Sequence, residues 1–215
     1  MISSPHPLTL SDGVHLMSQI LLLQSSLNGP ASRTNQLMER FLQARREQGH
    51  QDQVVVRDLP ALALPPLDSA LFHALRGAEP ASEAIRQAVA LSDQLIAELK
   101  AADLLLIGAP MYNLNVPTPL KSWFDLVARA RVTFRYTDSY PMGLVEGVKA
   151  LVFSSRGGVH QGQVTDAVTP YLESVLGLMG IAQVEFVYAE GMDLRPHGAE
   201  QGMRQAHERI ATLSR

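Results

Sequence analysis

The chain has 215 residues, 46% of them hydrophobic and 18% charged, which suits one compact domain with a sizeable core. A formal net charge of −3 supplies no broad field for nucleic acid or an anionic membrane, so neither is expected as a partner. The absence of cysteine excludes disulfides, thiolate metal ligands and thiol nucleophiles.

In chain order, residues 1–18 carry Pro, Ser, Asp and Gly without periodicity, and no basic leader precedes an apolar run of export length. They are expected to form a loose extension ahead of a single cytoplasmic domain over 19–215. "QILLLQS" at 19–25 predicts a strand, and the spacing of Leu37, Phe41 and Ala44 predicts a helix after it. "DQVVVRDL" at 52–59 predicts a second strand with less clear alternation. Pro60, Pro65, Pro66 and Pro80 then mark a long connection. A stripe of Ile85, Val89, Ser92, Leu95, Ile96 and Leu99 predicts a helix over about 82–100. The strand "DLLLIGA" at 103–109 is followed by a helix through Leu120, Phe124 and Val127. "KALVFSS" at 149–155 leads to a helix through Val168, Leu172, Val175, Leu176 and Met179. "QVEFVYAE" at 183–190 precedes a last, more polar helix from about Pro196.

Strand and helix thus alternate five times, and the apolar runs are continuous rather than alternating. Both features predict an α/β fold: a doubly wound, five-stranded parallel sheet with helices on both faces. Ligands in such sheets lie beyond the carboxyl ends of the strands, where strand order reverses. Three loops therefore matter.

The first, "SSLNGPASRTNQ" at 25–36, lacks both the Gly-Lys-Ser/Thr ending of a P-loop and the three-glycine dinucleotide fingerprint. It instead places Ser25, Ser26, Ser32 and Thr34 just ahead of a helix N-terminus near Arg33, a setting that favours a single phosphate. The second, "APMYNLNVPTPLKSWFD" at 109–125, offers backbone amides, the Asn113 amide and the apolar faces of Met111, Tyr112 and Leu114, which suit a flat ring with polar edges. In the third, "SSRGGVHQG" at 154–162, Gly157 and Gly158 permit close backbone approach, and His160 is either a proton donor, a substrate contact or an ordinary surface histidine. Each loop alone reads equally as a cap or a turn; together they outline a flavin mononucleotide (FMN) site.

The segments "APMYNLNVPTPLKSWFDLVARARVTFRYT", "SSRGGVH", "TPYLESVLGLMGI" and "FVYAEG" resemble the FMN-dependent NAD(P)H azoreductases, dimeric members of the flavodoxin-like quinone reductases. The resemblance runs from about residue 20 to the end. It implies a flavodoxin-like fold and one FMN per subunit. Ser26, Ser32, Arg33 and Thr34 would hold the phosphate, Met111, Tyr112, Asn113 and Leu114 would lie along the isoalloxazine, and Ser155, Arg156, Gly157 and Gly158 would line its pyrimidine edge. Asn113 is expected to position the ring and His160 to assist substrate binding or protonation, with no metal involved. Leu114 stands where members of the family carry Phe. The resemblance further implies a homodimer that oxidises NADH or NADPH and reduces quinones and azo compounds by ping-pong hydride transfer, an azo bond needing four electrons and two rounds. The alternative from another class is a flavodoxin-type FMN electron carrier served by a protein partner.

Overall fold

The computed structural model describes residues 17–214. The expected loose segment therefore falls mostly outside the described residues, but Ser18 is already tied in: its N–H donates to Asp52 Oδ1 and its carbonyl accepts from Gln53 N–H.

Five strands, β1 (Gln19–Gln24), β2 (Gln53–Asp58), β3 (Leu104–Gly108), β6 (Lys149–Ser155) and β7 (Val184–Ala189), form one parallel sheet in the order β2-β1-β3-β6-β7. The connections are α1 (Arg33–Glu47), then α2 (Leu59–Leu62), α3 (Ser69–Ala74) and α4 (Glu83–Ala101), then α5 (Thr118–Val127), and finally α6 (Val168–Met179); α7 (Gly198–Leu213) closes the chain. The proline-rich stretch expected as a long connection thus holds the two short helices α2 and α3. β4 (Phe134–Arg135) and β5 (Met142–Gly143) make a small antiparallel hairpin that the sequence does not announce, because two-residue strands have no period.

Parallel pairing keeps partners on one face, so register sorts the core into two layers. Ile20, Leu22, Leu106, Leu151, Phe153 and Val187 pack against Leu37, Met38 and Phe41 of α1 and against Ala206 and Ile210 of α7. Their neighbours Leu21, Leu23, Leu105, Ile107, Ala150 and Val152 pack against α4, α5 and α6. Strands buried on both faces account for the continuous apolar runs. At the edge of the sheet, Val54, Val55 and Val56 of β2 are exposed, which accounts for its weaker pattern.

The chain winds from β1 out to β2 and returns to β3 on the other side of β1, so the reversal point lies between the carboxyl ends of β1 and β3. Two ion pairs tie helices to β2 and the residue ahead of it, the first at the amino end of the sheet and the second near the carboxyl end of β2. Arg45 meets Asp52 through Nε and Oδ2 at 2.5 Å, with both side chains only 6% exposed, and Arg57 pairs with Glu98. Burial pushes the Asp52 and Glu98 carboxyls up, but hydrogen bonds and charge from Arg45 and Arg57 outweigh it and hold both below their ordinary values of 3.8 and 4.5. Groups depressed on folding bind fewer protons in the native state, so their contribution is full above those values and is lost as pH falls through and below them. Urea unfolding is expected to show a flat midpoint from about pH 7 to about pH 5 from these groups and a steep decline below about pH 4.

Candidate active site

Each of the three loops leaves the sheet at the same rim, and hydrogen bonds tie each to the next. In the first, Ser25 Oγ donates to the Gly108 carbonyl at 2.5 Å, fixing the exit of β1 to the end of β3. Ser26 Oγ accepts from Asn28 N–H at 3.2 Å. Ser32 caps α1: its Oγ accepts from Asn35 N–H at 3.2 Å and shares a 3.1 Å hydrogen bond with Thr34 Oγ1, both side chains being buried. With Asn35 N–H capped and Gln36 N–H bonded to the Ser32 carbonyl, the N–H groups of Arg33 and Thr34 have no protein acceptor among the described residues. Free amides at the start of a 15-residue helix suit an anion. The Arg33 side chain is exposed and donates to Gln36 Oε1 at 3.3 Å.

The second loop begins as a continuation of the sheet. Ala109 N–H donates to the Phe153 carbonyl at 2.8 Å and Met111 N–H to the Ser155 carbonyl at 2.9 Å. The chain then reverses in two residues. Tyr112 and Asn115 exchange N–H···O bonds of 2.9 and 3.0 Å, while Asn113 and Leu114 have φ of 50° and 65°. Both central residues in the left-handed region make a type I′ turn, whose usual sequence is Asn-Gly. Asn tolerates that conformation, but a γ-branched Leu pays for it in Cβ crowding of about 1–2 kcal/mol. Here a strained residue is kept at an exposed loop tip, with Leu114 44% accessible. Leu114→Gly is expected to raise unfolding free energy by about 1 kcal/mol, read from urea midpoints.

Tyr112 joins the first loop to the second. Its hydroxyl accepts from Leu27 N–H at 3.1 Å and shares a 3.2 Å hydrogen bond with Ser26 Oγ. Tyr112→Phe removes both bonds and is expected to cost about 1–2 kcal/mol, measured by denaturant unfolding of ligand-free protein.

In the third loop, Arg156 N–H donates to the Ala189 carbonyl, and the carbonyls of Arg156, Gly157 and Gly158 accept from Met192, Asp193 and Gly191 N–H at 2.8–3.0 Å. The N–H groups of Gly157 and Gly158 have no protein acceptor among the described residues. A Cβ on Gly157 would lie 2.4 Å from Asp193 Oδ2, and one on Gly158 would lie 2.8 Å from His160 Nε2. His160 Nδ1 bonds Thr165 Oγ1 at 2.8 Å, leaving Nε2 toward Gly158.

Arg156, expected at the ring edge, points its side chain into the protein and is 1% exposed. Its guanidinium donates to Ser154 Oγ at 3.1 Å, Thr169 Oγ1 at 2.9 Å and Glu190 Oε1 at 3.2 Å, contacts Asp166 Oδ2 at 3.0 Å, and lies 4.6 Å from the centre of the Tyr188 ring. Burial pushes Asp166 up, but bonds from Thr169 and Arg156 outweigh it and hold the carboxyl below its ordinary range. Sequence reasoning missed Asp166, Thr169, Tyr188 and Glu190; the one available signal was a carboxylate at the carboxyl end of the last strand, in "YAEG". Of the first-loop residues expected at the site, Ser26 meets the second loop through Tyr112, while Ser32, Arg33 and Thr34 stand at the start of α1; the second loop meets the third through the bond between Met111 and Ser155.

No group of three or more His, Asp or Glu side chains placed to hold a metal ion occurs among the described residues. No helix among them is long and apolar enough to cross a membrane.

Residues 18–213 match the family described as having the flavodoxin-like fold. An FMN-dependent NADH:quinone oxidoreductase 4 of Burkholderia lata is 65% identical over 197 residues, covering 92% of this chain and 99% of its own length. An FMN-dependent NADH:quinone oxidoreductase of Aeromonas salmonicida is 50% identical over 198 residues, covering 92% and 100%. Among solved structures, an azoreductase from Bacillus anthracis str. Sterne superposes with a TM-score of 0.80 at 29% identity, covering 92% of this chain and 99% of that one. The order β2-β1-β3-β6-β7, the three tied loops and these likenesses agree: the chain belongs to the flavodoxin-like family that includes FMN-dependent NADH:quinone oxidoreductases and azoreductases.

Proposed function

We propose that this chain is an FMN-dependent NADH:quinone oxidoreductase that also cleaves azo compounds. The observation that carries this reading is the sorting of free donors at one rim. Unbonded amides of Arg33 and Thr34 stand at the start of α1, and unbonded amides of Gly157 and Gly158 stand beyond β6, with the apolar Met111 and Leu114 on the loop between them. A phosphate needs the first set, a flat ring the middle, and an electron-rich ring edge the last.

The residues fit FMN. The Arg33 and Thr34 amides, with the hydroxyls of Ser26, Ser32 and Thr34, would hold the phosphate. Met111, Tyr112, Asn113 and Leu114 would support the ring, and the backbone of Ser155 to Gly158 would border its pyrimidine side. When bound, FMN supplies hydride exchange, accepting from NADH and giving to the acceptor. The Gly157 and Gly158 amides favour negative charge beside them, and His160 Nε2, next to Gly158, would contact a substrate. Because one exposed platform at Asn113 and Leu114 serves both partners in turn, the kinetics are ping-pong. A quinone takes one round and an azo bond two.

The decisive experiment is anaerobic. Protein reconstituted with FMN should bleach promptly on adding NADH and recover its yellow colour on adding a quinone, and initial rates against both substrates should give parallel double-reciprocal lines. Retained colour after NADH, with bleaching only by a protein reductant, would favour an electron carrier instead. Homodimer formation belongs to the same reading, since Tyr136, Tyr140 and Met142 leave apolar area exposed near the β4–β5 hairpin. Light scattering of the eluted protein checks it.

A further inference from the structure

The third loop is wrapped around a single carboxylate. Glu190 follows β7 directly, and its Oε1 accepts from His160 N–H at 2.8 Å, from Gln161 N–H at 2.8 Å and from Arg156 Nη1 at 3.2 Å. Its side chain is 11% exposed. Its main chain is pinned by α7, because Gly202 comes so close that a Cβ there would stand 2.4 Å from the Glu190 carbonyl. The carboxylate is therefore a fixed post on the sheet, and the loop is fastened to it.

Two questions decide what the post is for. The first is whether Arg156 needs it. Arg156 already meets Asp166, whose side chain is 6% exposed and whose Oδ2 lies 3.0 Å away, so one guanidinium faces two carboxylates. Charge neutrality alone calls for one. The second question is what the loop would do without it. The carbonyls of residues 156 to 158 are held by the amides of residues 191 to 193, which fixes only the start of the loop. The Glu190 carboxylate fixes the far side, at His160 and Gln161. Gly157 and Gly158 belong to the first fastening through their carbonyls, with only Val159 between them and the second, and two adjacent glycines have the widest backbone freedom of any pair. Pinned on both sides, they keep acceptors turned to the protein and leave donors over.

We propose that Glu190 is a positioning residue for the ring edge of the site: as a hydrogen-bond acceptor it holds the loop so that the Gly157 and Gly158 amides are presented together to the ligand. The proposal rests on the FMN reading for the identity of that ligand, but its mechanical part concerns the protein alone. It is the reach of the acceptor, not its charge, that matters, and two near-isosteric variants separate these. Glu190→Gln keeps the length and an acceptor oxygen while removing the charge. Glu190→Asp keeps the charge and withdraws the oxygens by one methylene.

In FMN-free protein, amide hydrogen exchange at His160 and Gln161 should accelerate at least about tenfold in Glu190→Asp and stay near wild type in Glu190→Gln. In reconstituted protein, Glu190→Asp should weaken FMN binding about tenfold, read by fluorescence titration. Because misplaced donors are missed most when the ring edge is electron-rich, its midpoint potential should also fall by about 30 mV, the equivalent of a tenfold loss for a two-electron couple. Glu190→Gln should restore both toward wild type. The opposite pattern, with Asp behaving as wild type and Gln impaired, would overturn the proposal in favour of a charge effect through Arg156. Unchanged exchange, affinity and potential in both variants would overturn it outright. Wild-type protein that takes up no FMN while exchange responds as stated would sink the flavin reading and leave the positioning role standing.

Discussion

Arg156→Met is expected to lower the unfolding free energy by about 3–5 kcal/mol, because it strips the positive charge from Asp166 and Glu190 while leaving both carboxylates inside the protein. Against a typical total of about 5–15 kcal/mol this is a large fraction, and thermal melts should shift accordingly. Met matches the bulk of the arginine stem, so loss of packing against Tyr188 is kept small. The pH dependence identifies the cause. In the wild type Arg156 helps hold Asp166 below its ordinary range, whereas without it only the bonds from Thr169 oppose burial and the carboxyl moves up. The variant's deficit should therefore be greatest near neutrality and shrink on acidification, as buried carboxylates take up protons. A deficit constant from about pH 7 to about pH 5 would point to packing instead.

Gly158→Val is expected to reduce FMN affinity at least about a hundredfold, close to 2.8 kcal/mol, with little change in the urea midpoint. The new Cβ would fall 2.8 Å from His160 Nε2 and 3.4 Å from Cε1. The ring has no easy retreat, since its Nδ1 is bonded to Thr165 and its backbone N–H to Glu190. Either the imidazole is expelled or the loop shifts, and in both cases a branched side chain stands beside the amides that a ring edge would occupy. Gly158→Ala, with a single methyl against the edge of a side chain, should fall between the two. Full retention of FMN by the Val variant would remove the third loop from the site.

The sheet was readable from sequence because burial on both faces leaves a signature that few other structures imitate. "DLLLIGA" and "KALVFSS" became β3 and β6 with boundaries close to those expected, and the helical stripe through Leu95, Ile96 and Leu99 lies in the core where its spacing placed it. The rim was readable as a set of loops but not as a mechanism. Nothing in "MYNLN" announces a type I′ turn, since the residue that would signal it is Gly and the chain uses Leu114. Tyr112 read as a surface for a ring, yet its hydroxyl is committed to Ser26 and Leu27. Arg156 read as a ring-edge residue through the family resemblance; in the fold its guanidinium turns inward, and two of its partners, Thr169 and Glu190, lie 13 and 34 residues away in sequence, a relation that spacing cannot express. The same holds for Glu190, thirty residues from the amide of His160 that it receives.

One hydroxyl straddles the first and second loops, the proposed phosphate end and ring end of the rim. A ligand against residues 26 to 34 that steadied the Tyr112 hydroxyl would also steady the platform at residues 111 to 114, and the reverse, because its bonds to Ser26 and Leu27 join the two. A molecule filling only one end, riboflavin or free phosphate, bears that ordering cost unshared, so the two halves of the coenzyme should bind together more tightly than their separate affinities would combine to give.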